Sequence, residues 1–164
     1  MARLPDRFDL WVRKARKCSD PSRQADCLLG ALAGLREWHF LNVGTKENPQ
    51  PAETEIESIR HLLVFSNPDR IEELVRDGEQ FHASVPLPII AIPTAEAMAW
   101  CLKQRITGSG GLLVNPGEDA FLLPMDHLEV FHAEWETRGG RQAAGFWIPN
   151  MTTEEEDFWQ EHGL

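Results

Sequence analysis

The chain has few cysteines, no long apolar run and little positive charge beyond its first third, and each shortage excludes a class of protein. The longest apolar runs are about five residues, against the roughly 20 that a membrane-spanning helix needs, so no spanning segment is expected. Cys18, Cys27 and Cys101 form no C-x-x-C, and an odd number leaves one unpaired whichever two bond. The opening stretch MARLPDRFDLWVRKARKC carries charges throughout and no apolar signal core, so a cytoplasmic location with reduced thiols is expected. Cys27 and Cys101 lie in helix-like apolar runs and read as buried small hydrophobes. The histidines are scattered, with no H-E-x-x-H and no Cys/His cluster at zinc spacing, so neither a metal nor a cofactor is expected. Internal repeats, low-complexity tracts and a G-x-S-x-G elbow are likewise missing, and no nucleophile, base and orienting group can be read as a set.

What remains is an ordinary soluble composition: 164 residues, 42% hydrophobic and 26% charged, enough for one domain with a real core. The net charge of −10 is unevenly placed, with a balance of +3 over residues 1–50 and −13 over residues 51–164. The basic cluster Arg13, Lys14, Arg16 and Lys17 reads as the solvated face of a short helix in an acidic chain, so nucleic-acid binding is not expected.

Along the chain, Phe8, Trp11, Val12 and Ala15 mark one side of a helix over 6–18. Asp20-Pro21 opens a second helix, whose stripe is Ala25, Leu28, Leu29, Leu32 and Leu35. Trp38–Val43 is strand-like, and the polar, proline-bearing stretch 44–58 reads as a long loop. The middle then alternates. His61–Phe65 reads as a buried strand, Asn67-Pro68 as the start of a helix closed by Gly78, and Pro88–Ile92 as a second buried strand. Thr94 is the expected cap of a helix running to about residue 106, and Gly111–Asn115 is a third strand. This strand–helix alternation predicts a βαβαβ unit with parallel strands. Pro116-Gly117 suits the centre of a type II turn leading into a hairpin, and Pro124–His132 a last helix bearing Met125, Leu128 and Phe131.

Several of these segments, in this order, resemble the N-terminal domain of the SseB family, named for enhanced serine sensitivity. They are the Asp20-Pro21 helix start, the strand ending near Val43, the segment Leu63-Val64-Phe65-Ser66-Asn67-Pro68-Asp69-Arg70, the strand Leu87–Ile92, and Leu113-Val114-Asn115-Pro116-Gly117. The resemblance spans roughly residues 9–132. It implies an α/β fold, a small, mixed and partly parallel sheet with helices packed on it, and no established activity. The expected organisation is an SseB-like domain over 1–136 and an appendage over 137–164, a strand at Phe146-Trp147-Ile148 plus an acidic aromatic helix opened near Thr152, too short for a second SseB domain.

Two sets of residues are candidates for function. Ser66, Asn67, Thr94 and Asn115 fall at or just beyond the carboxyl ends of expected strands, where open α/β sheets bind small ligands; Asp69 and Glu96 lie beside them. Helix caps and a turn account for the same residues. The Gly108–Gly111 loop runs into a strand and lacks a following Lys-Ser/Thr, so it reads as a connection. Glu129 and His132, three apart, could pair on a helix surface. The second set is the aromatic one, Trp135, Phe146, Trp147, Phe158 and Trp159, set among five acidic and no basic residues over 151–164. Such a segment suits a protein partner or a homo-oligomer contact, and alternatively docks on its own domain. Twelve arginines against four lysines fit a GC-rich bacterial genome. The reading is a non-catalytic bacterial cytosolic interaction or regulatory domain. Its alternatives are an acidic immunity or antitoxin-type protein for a basic partner, and a small-ligand binder at the strand ends.

Overall fold

The computed structural model describes residues 7–78, 87–105, 108–117 and 119–137. Two helices lead: α1 (Arg7–Ala15) and α2 (Pro21–Ala33). Asp20 accepts a bond from the Ser22 N–H at 3.0 Å, and Pro21 fills the first turn, where its missing donor costs nothing. The Leu32 carbonyl, in the last turn where helix carbonyls lose their own partners, receives the Trp38 indole N–H at 2.9 Å.

The strands are β1 (Glu37–Leu41), β2 (Glu53–Ile56), β3 (Ile59–Val64), β4 (Ile89–Pro93), β5 (Gly111–Val114) and β6 (Phe121–Pro124). Helix α3 (Pro68–Asp77) follows β3, α4 (Thr94–Gln104) follows β4, and α5 (Met125–Thr137) follows β6. Strands β2-β3-β5-β6 form a mixed sheet in that order; β3 and β5 are parallel, and the other pairs antiparallel. Strands β1 and β4 form a separate antiparallel ribbon. A bridge joins the two sheets where His39 and Phe65 exchange backbone bonds of 3.0 and 2.9 Å. The result is the α/β fold with a mixed, partly parallel sheet that the sequence predicts.

Three expectations are corrected. The stretch 44–58 is not wholly a loop: Glu53–Ile56 forms β2, turning into β3 through Glu57 and Ser58, both in the left-handed region (φ 51° and 66°), as hairpin turns matching strand twist require. Its polar alternation hid it, because β2 is an edge strand, half-exposed or exposed throughout. The Pro88–Ile92 segment is not a buried strand pairing in parallel with its neighbours. It pairs antiparallel with β1, every residue half-exposed or exposed, because β1 occupies the slot beside β3. Two antiparallel steps leave β4 running in the same direction as β3 and β5 without bonding to either. Last, Thr94 is the first residue of α4 and makes no capping bond. Its hydroxyl donates instead to the Leu35 carbonyl just past α2.

Alternation along the strands divides the core. Trp38, Phe40, Leu62, Val64, Leu112, Val114, Phe121 and Leu123 point to one face, which α1, α2, α4 and α5 cover. Leu41, Leu63 and Phe65 point to the other, which α3 covers through Ile71. All four expected apolar residues of α1 are buried, as are Cys27 and Cys101. Gly111 lies at a close approach of neighbouring strands: a Cβ there would meet the Leu123 carbonyl at 2.6 Å and the His61 ring at 3.0 Å. Among the described residues no helix is long and apolar enough to cross a membrane.

Candidate functional site

The carboxyl end of β3 and β5 brings together three of the four predicted ligand residues. Asn115, 2% exposed and held at φ 46°, accepts the Ser66 N–H through Oδ1 and donates from Nδ2 to Ser66 Oγ, both at 2.9 Å. Asn and Asp tolerate the left-handed region because a short polar side chain can bond locally. Asn67 caps α3 by accepting the Arg70 N–H at 3.2 Å. Thr94 belongs elsewhere, at the junction of β4 and α4, where its N–H and hydroxyl reach Arg36 and Leu35.

Sequence reasoning missed what closes this edge. Asp9 of α1, 2% exposed, pairs with Arg70 of α3. The two helices cover opposite faces of the sheet, so this pair straddles the strand end and occupies the approach. The signal was legible: Asp9 lies inside the apolar stripe of α1, and a carboxylate there needs a partner. With Ser66 and Asn115 bonded to each other, Asn67 capping and Arg70 paired to Asp9, the polar groups of this edge already serve the fold. Ser66 bonds to Asn115 and Thr94 to a backbone carbonyl, and neither reaches a histidine among the described residues.

A second group of polar side chains lines a cavity of about 370 Å³ between the start of α2 and one face of α5. Ser22 and Asp26 line one wall; Asp126, His127, Val130, Phe131 and Glu134 line the other. The spacing of these five on α5 follows one helical face, and Val130 is 61% exposed. Burial pushes the Asp26 carboxyl above its usual range; His127 pulls it down, and Glu134 and Asp20 push it further up. A cation placed here would relieve that repulsion. Among the described residues no group of three metal-ligating side chains converges. On the adjacent surface of α5, Arg105 takes both Asp126 and Glu129. The expected Glu129–His132 pair is therefore not formed: His132 instead lies 3.3 Å from Glu136, one turn on.

Trp135, expected to anchor a partner, is corrected. Helix α5 continues past His132, and Leu128, Phe131 and Trp135 follow at spacings of three and four, which turns Trp135 inward to 6% exposure. The other four aromatic candidates, Phe146, Trp147, Phe158 and Trp159, lie outside the described residues.

Comparison with protein-family models, with curated proteins and with solved structures finds no match for this chain. The fold is thus defined at the level of its class, α/β, by its own geometry.

Proposed function

We propose that this chain is a non-catalytic interaction domain of bacterial cytosol that receives a basic protein partner on its acidic side, with α5 at the centre of the contact. The observation that carries this reading is the cavity between α2 and α5, where Asp26, Asp126 and Glu134 face one space beside the exposed Val130. Carboxylates around an apolar spot suit a lysine or arginine side chain, whose cationic head and hydrocarbon stem need both. The net charge of −10 acts at longer range and speeds encounter with a basic surface. A protein that neutralises a basic partner, as an immunity protein does, is a special case of the same chemistry. The motifs that resemble the SseB N-terminal domain support the α/β side of this reading and imply no reaction. In the sequence of residues 138–164, Phe146, Trp147, Phe158 and Trp159 are residue types that anchor protein interfaces, and they are part of the proposal as further partner contacts.

The test is affinity capture from an extract of the source cell, comparing the full chain, the triple variant D26N/D126N/E134Q, and a chain lacking residues 141–164. The expected result is a basic protein retained at low salt, released as salt rises, and lost from the triple variant while that variant keeps its melting temperature. A partner held equally by the triple variant, or an acidic one, overturns the proposal. So does a tightly co-purified metabolite with turnover. Loss of folding on truncation would make the last residues part of the core and remove them from the surface.

A further inference from the structure

We infer that a second cavity, at the opposite end of β3 from the Ser66–Asn115 lock, binds a small zwitterion of the α-amino-acid type. The cavity measures about 290 Å³ and lies between the loop after β1, the first residue of β2, the second residue of β3 and the last residue of α4. That volume falls at the bottom of the roughly 300–1,000 Å³ common among ligand sites, which suits a guest of amino-acid size. Glu53 stands opposite Leu62 in the β2–β3 ladder and Arg60 lies two residues before Leu62, so alternation puts both charged side chains on the same face of the sheet.

The two charges are 3.4 Å apart and open to solvent, with side-chain exposures of 26% for Glu53 and 45% for Arg60. Ser109, only 2% exposed, donates its hydroxyl to Glu53 Oε1 at 3.2 Å and so orients the carboxylate. Both contacts are longer than the roughly 2.5–2.9 Å of strong charge-assisted bonds, and a carboxylate accepts several donors, so Glu53 has capacity for a closer one. Gly108, at φ 96°, makes room for Arg60: a Cβ there would meet Nη2 of the guanidinium at 3.0 Å. The Gly110 N–H holds the Arg60 carbonyl at 2.8 Å. The glycine-rich connection before β5, which reads from sequence as a plain link, thus positions both members of the pair. The far wall is fixed as well. Asn42 Oδ1 accepts the N–H groups of Gly44 and Gln50, both at 2.9 Å, and the Val43 N–H donates to the Gln50 carbonyl at 2.9 Å.

An α-amino acid carries its ammonium and carboxylate on the same carbon, so its charges are spaced much like those of Glu53 and Arg60. Laid antiparallel to the pair, it sets its ammonium on Glu53 and its carboxylate on Arg60, and the four charges alternate. A guest with a single charge would meet its own sign on the same wall. Val43, 62% exposed, and Pro51 supply an apolar surface for an aliphatic side chain, while Gln50 and Gln104 bring amide groups to the same space.

The test titrates the isotope-labelled full-length protein with L-leucine to millimolar concentrations and follows its amide NMR signals. Saturable shifts are expected at Gly44, Ser109 and Gly110, with Asn115 and α5 unmoved. N-acetyl-L-leucine lacks the ammonium, L-leucine amide lacks the carboxylate, and γ-aminobutyrate holds its charges too far apart; each should bind about tenfold more weakly or worse. Glu53→Gln and Arg60→Gln should weaken L-leucine by a similar factor and keep the melting temperature, because an exposed ion pair adds little stability. The triple variant D26N/D126N/E134Q should bind L-leucine like the parent, which separates this site from the acidic surface of α5. Absence of saturable shifts overturns the proposal, as does binding of any of the three analogues as tightly as L-leucine. Unchanged affinity in both single variants overturns it too and leaves Glu53–Arg60 a plain surface bridge. If either variant fails to fold, the analogue series on the parent protein decides alone.

Discussion

Replacing Asn115 separates a structural strand end from a ligand site. In Asn115→Ala the buried Ser66 N–H loses its acceptor, and an unmet buried donor costs about 1–3 kcal/mol. Ser66 Oγ also loses a donor, but its hydroxyl can turn elsewhere, so little is added. Alanine must in addition hold φ 46°, which for a residue with a Cβ and no local side-chain bond costs roughly 1 kcal/mol more. The expected total is on the order of 2–4 kcal/mol, a large share of the 5–15 kcal/mol or so by which domains are stable. Asn115→Gly keeps the hydrogen-bond loss and removes the backbone strain, so it should be the milder variant by about 1 kcal/mol. Urea unfolding followed by tryptophan fluorescence measures both, and the dependence on urea should keep its slope. If Asn115→Ala lies within about 0.5 kcal/mol of the parent, the Ser66–Asn115 lock contributes nothing and the argument for a closed strand end fails. The same result joined to loss of a bound small molecule would return the edge to ligand binding.

Three further perturbations follow from the same structure. Trp135→Ala should destabilise by about 3–5 kcal/mol in the same unfolding assay, since the side chain is 6% exposed; Trp135→Phe should be far milder, because the indole N–H meets no hydrogen-bond partner among the described residues, and equal losses would contradict that placement. Gly117→Val should cost on the order of 1–3 kcal/mol purely through the backbone, because φ is 135° while a Cβ there would meet nothing within 4 Å; an unchanged melting temperature refutes it. Burial holds His39 below its usual 6.5, with Glu37 opposing, so the folded state binds fewer protons than the unfolded one in that range. The stability from neutral His39 is therefore present above pH 6.5 and lost as pH falls through the lowered folded value; His39→Gln should flatten that part of the stability profile, and an unchanged slope argues against a neutral buried ring.

Local physics made much of this protein legible before its fold. The stripe on α1, the Asp20-Pro21 and Asn67-Pro68 openings, the burial of Cys27 and Cys101, and the strands on either side of α3 all follow from periodicity and from residues that satisfy orphan backbone donors within four positions. Net charge and its crowding after residue 50 are likewise properties of the chain alone.

Pairing across the chain was decided only by the tertiary structure. An apolar run such as Ile89–Ile92 says strand without saying beside what, and β1 took the place next to β3 that the βαβαβ reading had given to β4. Thr94 looked like a cap because it precedes a helix, yet the carbonyl it serves lies 59 residues earlier in the chain. Trp135 looked like an anchor because it stands among aromatics, and only the added turn of α5 shows that it faces inward. The Asp9–Arg70 pair, the Ser66–Asn115 lock and the α2–α5 cavity all join separate elements. Hydrophobic spacing and capping act over one or two helical turns, whereas a site is made where distant segments share a surface, and that contact exists only once the core has formed.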